Sequence, residues 1–197
     1  MHRIEWDDLY IRLAYLIAQR SPDLSTQLGA VIVAPDQTIR STGYNGWPRG
    51  IAEFEDDDPR WNRPNKYHWM AHAERNAIDN AIRNGVAVDG CTLYTILMPC
   101  ADCARGIVQT GIKRVVFDEN AMREFTKHML NSQTWVEGLE ATRQMFKETN
   151  IELQARPWKE TPDTIRIAGT IFNPNQDLDL SNRPILRPLG NVQAEKI

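Results

Sequence analysis

The chain has 197 residues, 42% of them hydrophobic and 25% charged, the composition of a globular protein with enough apolar mass for a proper core. No apolar run approaches membrane-spanning length, and the opening stretch MHRIEWDDLYIRLAYLI is too broken by acids to read as a secretory leader. A net charge of −3 argues against a protein that grips a long phosphate backbone, which calls for a basic surplus.

From the N-terminus, residues 5–20 predict an amphipathic helix with Trp6, Leu9, Leu13, Leu16 and Ile17 on its apolar side. Residues 29–34 (GAVIVA) read as a short apolar strand, Pro35 and Asp36 as a turn, and residues 38–44 as the returning strand of a hairpin. Residues 45–70 are irregular, rich in Pro, Trp and charge. Residues 71–83 (AHAERNAIDNAIR) predict a helix that buries Ala73, Ala77, Ile78, Ala81 and Ile82. Residues 91–97 (CTLYTIL) predict a buried strand with Cys91 as a small core residue. A helix over residues 100–110 follows, with Pro99 in its first turn, where a missing N–H costs nothing. Residues 114–118 (RVVFD) predict a strand, residues 121–149 are helical in pattern, and residues 151–155 and 164–172 each suit a further strand. From Asn173 the chain, with Pro174, Pro184 and Pro188, reads as an extended arm. The alternation of strand and helix specifies an α/β sheet flanked by helices. The expected organisation is one domain over residues 1–172 and a tail over residues 173–197.

Chemistry concentrates at two places. His72-Ala73-Glu74 opens one predicted helix, and Pro99-Cys100-Ala101-Asp102-Cys103 begins twenty-seven residues after His72. One imidazole and two thiols suit zinc, leaving a fourth tetrahedral position for a water that the metal makes acidic near neutral pH. Glu74, two residues from His72, is then the carboxylate left to move protons. Cys100 and Cys103 lie near the positive end of their helix, which favours the thiolates that bind metal. A lone C-x-x-C also suits a redox pair or half a structural zinc site. A structural site would need a fourth protein ligand, and Cys91, inside a strand, is a poor one. H-x-E followed by P-C-x-x-C is a pattern already known from zinc-dependent nucleobase deaminases, so the reading is a match to it. Two cysteines that must stay reduced suit a reducing compartment, so a cytoplasmic location is expected.

Residues 6–118 resemble the deoxycytidylate (dCMP) deaminases of the cytidine deaminase-like superfamily. The resemblance is carried by residues 18–21 (AQRS), 27–33 (QLGAVIV) and 43–50 (GYNGWPRG), by His72-Ala73-Glu74 with Asn76-Ala77-Ile78, by Thr92-Leu93-Tyr94, by the Pro99 to Cys103 motif, and by residues 109–112 (QTGI). It implies a three-layer fold with a mixed five-stranded sheet between helices. It implies one catalytic Zn2+ on His72, Cys100 and Cys103, with Glu74 as proton shuttle. Asn45 would contact the nucleotide and the Ala73 N–H would hold the base carbonyl. The implied reaction is hydrolytic deamination of dCMP to dUMP in a homo-oligomer, a hexamer or a dimer, in some members under dCTP and dTTP control. The segment 61–69 (WNRPNKYHW) and everything after Asp118 depart from the family pattern.

Other expectations come with alternatives. Arg49, Arg60, Arg63 and Lys66 are candidates for a 5′-phosphate, each weighed against a solvated surface charge. Tyr44, Trp47, Trp61 and Trp69 are candidates to stack on a base, weighed against packing. The acids Glu53, Glu55, Asp56, Asp57 and Asp58 suit Mg2+ with a triphosphate effector less well than a solvated loop. Other deaminase substrates (dCTP, guanine, a nucleoside, adenosine in tRNA) stay open, as does a catalytically silent zinc-stabilised module. The tRNA option is disfavoured by the net charge, and no membrane partner is expected.

Overall fold

A computed structural model describes residues 3–52, 55, 57–129, 133–157, 165–167 and 170–172. The chain divides into two units, residues 1–159 and 160–197. The expected arm from Asn173 lies outside the described residues.

In the first unit, helix α1 (Trp6–Ala18) precedes the hairpin of β1 (Gly29–Val33) and β2 (Ile39–Tyr44). The segment expected to be irregular holds a 3-10 turn (Pro59–Trp61) and a short helix α2 (Lys66–Trp69). Then come α3 (Ala73–Arg83), β3 (Thr92–Thr95), α4 (Ala101–Gln109), β4 (Arg114–Asp118), α5 (Glu119–Met129), α6 (Gln133–Glu148) and β5 (Glu152–Arg156). The sheet order is β2-β1-β3-β4-β5. β1 is antiparallel to both β2 and β3, while β3, β4 and β5 run parallel, so the sheet is mixed as expected. In the second unit β6 (Ile165–Ile167) pairs with β7 (Thr170–Phe172) in a small antiparallel sheet, where the sequence suggested a single strand.

Alternation along each strand builds the layers, because successive side chains leave opposite faces. Ala30, Ile32, Leu93 and Val115 face α3, α4 and α6, joined there by Ala77, Ile78, Ile107 and Phe146. Val31, Val33, Tyr94 and Val116 face the other way, against Tyr10, Ile11 and Ala14 of α1 and the partly buried Met122 and Phe125 of α5. The result is the expected three-layer α/β architecture.

α1 turns a different face inward than hydrophobicity predicts, while α3 buries the predicted side except for Ile82. α1 buries Tyr10, Ile11, Ala14 and Ala18, and leaves Trp6 54% and Leu16 59% exposed. The cause is close approach: a Cβ on Gly29 of β1 would stand 2.0 Å from the Ala14 carbonyl oxygen. Small residues, not large ones, therefore mark the contact line. In α3, Glu74 joins Ala73, Ala77, Ile78 and Ala81 on the buried side, and Ile82, one step past that arc, is 64% exposed. The strand expected at residue 91 starts at Thr92, and Cys91 is buried just before it.

Candidate functional site

Two helix N-termini meet at the site. His72 caps α3 in an extended conformation (φ −75°, ψ 158°), and Cys100 caps α4 in the same way (φ −71°, ψ 167°). Pro99 thus stands before the cap and not in the first turn. A cap residue leaves the helical path, so its side chain can turn toward the neighbouring helix while the backbone still starts the next turn. Three contacts fix where α3 and α4 begin. Gly46 and Ala71 exchange backbone hydrogen bonds ahead of α3. A Cβ on Gly43 of β2 would meet Ala77 N at 2.3 Å and Ala73 O at 2.5 Å, so α3 lies directly on that strand. The buried Thr142 of α6 donates through Oγ1 to the Pro99 carbonyl at 3.1 Å.

His72 Nδ1 lies 3.3 Å from Cys100 Sγ and 3.5 Å from Cys103 Sγ, and the three donor atoms fall within 4.8 Å of one another. Zinc–sulfur bonds of about 2.3 Å and zinc–nitrogen bonds of about 2.0–2.1 Å at tetrahedral angles set sulfur and nitrogen roughly 3.5–3.6 Å apart. The donor set and its spacing fit a zinc ion with one vertex to spare. Glu74 is 4% exposed, and Cys103 donates to its Oε2 at 3.7 Å; the carboxyl is beside the donor set without belonging to it.

The groups bias one another's protons. A hydrogen bond from Cys103 pulls the Cys100 thiol down to about 4 against the opposing effect of burial, and His72 adds to the pull. His72 is pushed up to about 9, first by its hydrogen bond to Cys100, with burial opposing. The second thiol, Cys103, is raised, because an adjacent thiolate and burial both disfavour another negative charge. Burial raises Glu74 as well, which suits a carboxyl that must hold a proton and give it back.

His72, Glu74 and Cys100 open into a pocket whose apolar walls include Leu28, Leu97 and Met98. α5 and α6 supply Met122, Phe125, Trp135 and Leu139, and the rings of Phe125 and Trp135 meet edge to face at 5.4 Å. The sequence carries no signal for this wall, since the helices that build it follow the motifs and share none of their wording.

Asn45 lies in the pocket lining and is almost fully engaged. Its Oδ1 accepts from Leu28 N at 2.6 Å, and its Nδ2 donates to Asp23 Oδ2 at 3.0 Å and Thr26 O at 2.8 Å. With both amide hydrogens committed, one lone pair of Oδ1 is what it can offer a ligand. Asp23 is in turn held by Lys66, whose Nζ lies 2.6 Å from Asp23 Oδ1 and 2.7 Å from Ser25 Oγ. Burial raises the Asp23 carboxyl, but Lys66 and the Ser25 and Thr26 N–H groups bring it below its ordinary value overall. Nothing in the sequence announces this buried pair, because its members are 43 residues apart.

Other candidates stand elsewhere. Tyr44 and Arg49 line a separate cleft with Trp47, and Arg49 donates to Asn80 Oδ1 at 2.9 Å. Trp47 packs on Trp61 at 4.5 Å, and Arg60 lies 5.4 Å over the Trp69 ring. Of the acidic run, Glu53 and Asp56 lie outside the described residues. Asp58 caps the 3-10 turn and pairs with Arg60 at 2.5 Å.

The family model for the cytidine and deoxycytidylate deaminase zinc-binding region matches residues 4–119. The chain is 43% identical over 120 residues to the deoxycytidylate deaminase of Mus musculus, covering 58% of this chain, and it spans 65% of the length of that relative. An uncharacterized deaminase of Aliivibrio fischeri is 34% identical over 153 residues, 78% of this chain and 95% of its own. The crystal structure of the dCMP deaminase of cyanophage S-TIM5 in complex with dCMP and dUMP superposes with a TM-score of 0.57 at 25% identity, covering 79% of this chain and 100% of that one.

Proposed function

The chain belongs to the cytidine and deoxycytidylate deaminase family, and from that membership we propose that it hydrolyses the 4-amino group of dCMP, giving dUMP and ammonia. The observation that carries the proposal is the triad of His72, Cys100 and Cys103 donor atoms within 4.8 Å beside a buried Glu74 that is not one of them. The names of the mouse and cyanophage relatives support the choice of dCMP.

In the proposed mechanism His72, Cys100 and Cys103 hold one Zn2+, which when bound supplies a Lewis acid that makes water acidic near neutral pH. Glu74 takes a proton from the attacking water and passes protons to N3 of the base and to the departing amine. Water adds at C4, the C4–N bond breaks, and ammonia leaves. The Ala73 N–H opens α3 and has no partner within its own helix, which supports assigning it the base carbonyl at C2. Asn45 contributes the remaining acceptor of its amide oxygen to the sugar. The apolar walls exclude water from the reacting face. A mononucleotide arrives unstacked, so no base flipping is required.

The rest of the proposal is coarser. The deaminase chemistry is assigned to the first unit, residues 1–159. Control by dCTP and dTTP and a homo-oligomeric state, hexamer or dimer, rest on family membership, while Mg2+ with a triphosphate effector rests only on the acidic residues Glu53, Glu55, Asp56, Asp57 and Asp58. A cytoplasmic location rests on the reduced thiols that the metal requires. Among the described residues, no helix is long and apolar enough to cross a membrane. A coupled ammonia-release assay on dCMP, deoxycytidine, dCTP, guanine and tRNA tests the reading. Fastest release from dCMP is expected. Faster release from another substrate would replace dCMP, and no release from any of them by zinc-loaded protein would leave a silent binding module.

A further inference from the structure

We propose that Arg63 is the group that recognises the 5′-phosphate, and that it sets the preference for a nucleotide over the corresponding nucleoside; this rests on the deaminase reading above. A phosphate bound in a partly apolar pocket needs a cation or several N–H donors that no carboxylate has already engaged. The pocket that holds His72 and Glu74 is also lined by Arg63, Lys66 and Tyr67.

The cations of this part of the chain differ sharply in what they are free to do. Lys66 is 6% exposed and bridged to Asp23 and Ser25, so its charge is matched. Arg60 donates through Nε and Nη2 to the two oxygens of Asp58, at 2.9 and 2.5 Å. Arg49 lies in the other cleft and donates to Asn80. Arg63 is exposed at the pocket, and among the described residues its partner is the ring of Tyr67, 5.9 Å from Cζ. A ring face attracts a guanidinium without neutralising it and without occupying the edge of its donor fork. Arg63 therefore brings an uncompensated planar cation to the rim of the pocket. Its fork can give two parallel N–H···O bonds to a phosphate, a geometry that a lysine cannot match.

The position is also selective. The reacting base belongs at the His72 and Glu74 end, where no cation beyond the metal is needed. Arg63 lines that same pocket, and beside its uncompensated cation negative charge gains most. A nucleoside would fill the reacting end equally well and gain nothing from Arg63.

The test uses the zinc-loaded full chain and compares dUMP with deoxyuridine in calorimetric binding, and dCMP with deoxycytidine in turnover. Arg63→Ala is expected to narrow the preference for the phosphorylated ligand by roughly 10- to 100-fold, the range of a lost charge-assisted hydrogen bond, mainly through Kd and KM. Arg63→Lys is expected to fall between, because one charge remains without the fork. Loss of affinity for dUMP and deoxyuridine alike would make Arg63 part of the loop scaffold and overturn the inference, as would an unchanged preference. Should the wild-type protein fail to turn over dCMP, the deaminase reading falls. The phosphate dependence of dUMP binding still decides the role of Arg63.

Discussion

Glu74 shows how much position adds to residue type. It shares the first turn of α3 with no competing acid, is withdrawn from water, and is offset by two residues from the cap that presents His72. Replacing it with Gln keeps shape and packing but removes the titrating proton. Turnover in Glu74→Gln is expected to fall by at least about 10²–10⁴-fold, with zinc content by elemental analysis and far-UV circular dichroism unchanged. Wild-type turnover in that variant would end the mechanism. Lys66 is argued at the same scale. Most ion pairs here are exposed and contribute roughly 0–1 kcal/mol each, but the Asp23–Lys66 pair has side chains 3% and 7% exposed. Lys66→Met would strand a buried carboxylate, so a loss of about 3–5 kcal/mol in the urea-derived stability is expected. Adding Asp23→Asn should recover part of it. The metal donors were legible because coordination demands particular side chains at short spacing. Asp23, Lys66 and Asn45 form an equally definite network with no local pattern, since each finds its partner through the fold.

At the scale of elements, periodicity located the helices and strands and the buried side of α3 apart from Ile82, but misjudged the face that α1 buries. Hydrophobic spacing weighs Trp6 and Leu16 of α1 above Ala14 and Ala18, yet the distance of closest approach is set by the small residues facing Gly29. Gly43 makes the same point for α3. A side chain there must displace the backbone of the turn that follows His72, so Gly43→Ala is expected to cost more than the ~1–3 kcal/mol of ordinary overpacking. The expected signature is a fall in thermal midpoint together with weaker zinc retention, because the strained turn carries a proposed ligand at its cap. A variant that melts earlier but keeps zinc as tightly as wild type would show that α3 shifts as a rigid body. The helical pattern after Asp118 was legible as helix. Its placement over the pocket was not, because nothing in an amphipathic repeat says which cavity it will cover.

For the molecule as a whole, α/β alternation was readable, but the order β2-β1-β3-β4-β5 was not, since sheet order follows from connections that sequence does not print. One charge network ties α1, near the start of the chain, to that order. Asp7 of α1 receives Arg114 of β4 at 2.6 and 2.9 Å and the Tyr94 hydroxyl of β3 at 2.8 Å. Arg114 also reaches Gln154 of β5, and Arg156 of β5 pairs with Asp8 at 2.6 Å. The hydrogen bond from Arg114, against the cost of burial, holds the Asp7 carboxyl below its ordinary 3.8. A carboxyl depressed in the folded state adds stability above 3.8 and loses that contribution as pH falls through its folded value. Asp7→Asn is therefore expected to be about 1–3 kcal/mol less stable near neutrality. The gap to wild type should close as urea midpoints are followed into acid. A gap that stays constant over that range would mean the charge on Asp7 contributes nothing.

The wall built by Phe125 and Trp135 lies past residue 119, where the family match stops. The proposed metal donors and this part of the pocket lining are thus written in different stretches of the polypeptide. Inheritance can preserve the first while the second drifts, and relatives that share the same hydrolytic kernel need not share a diet.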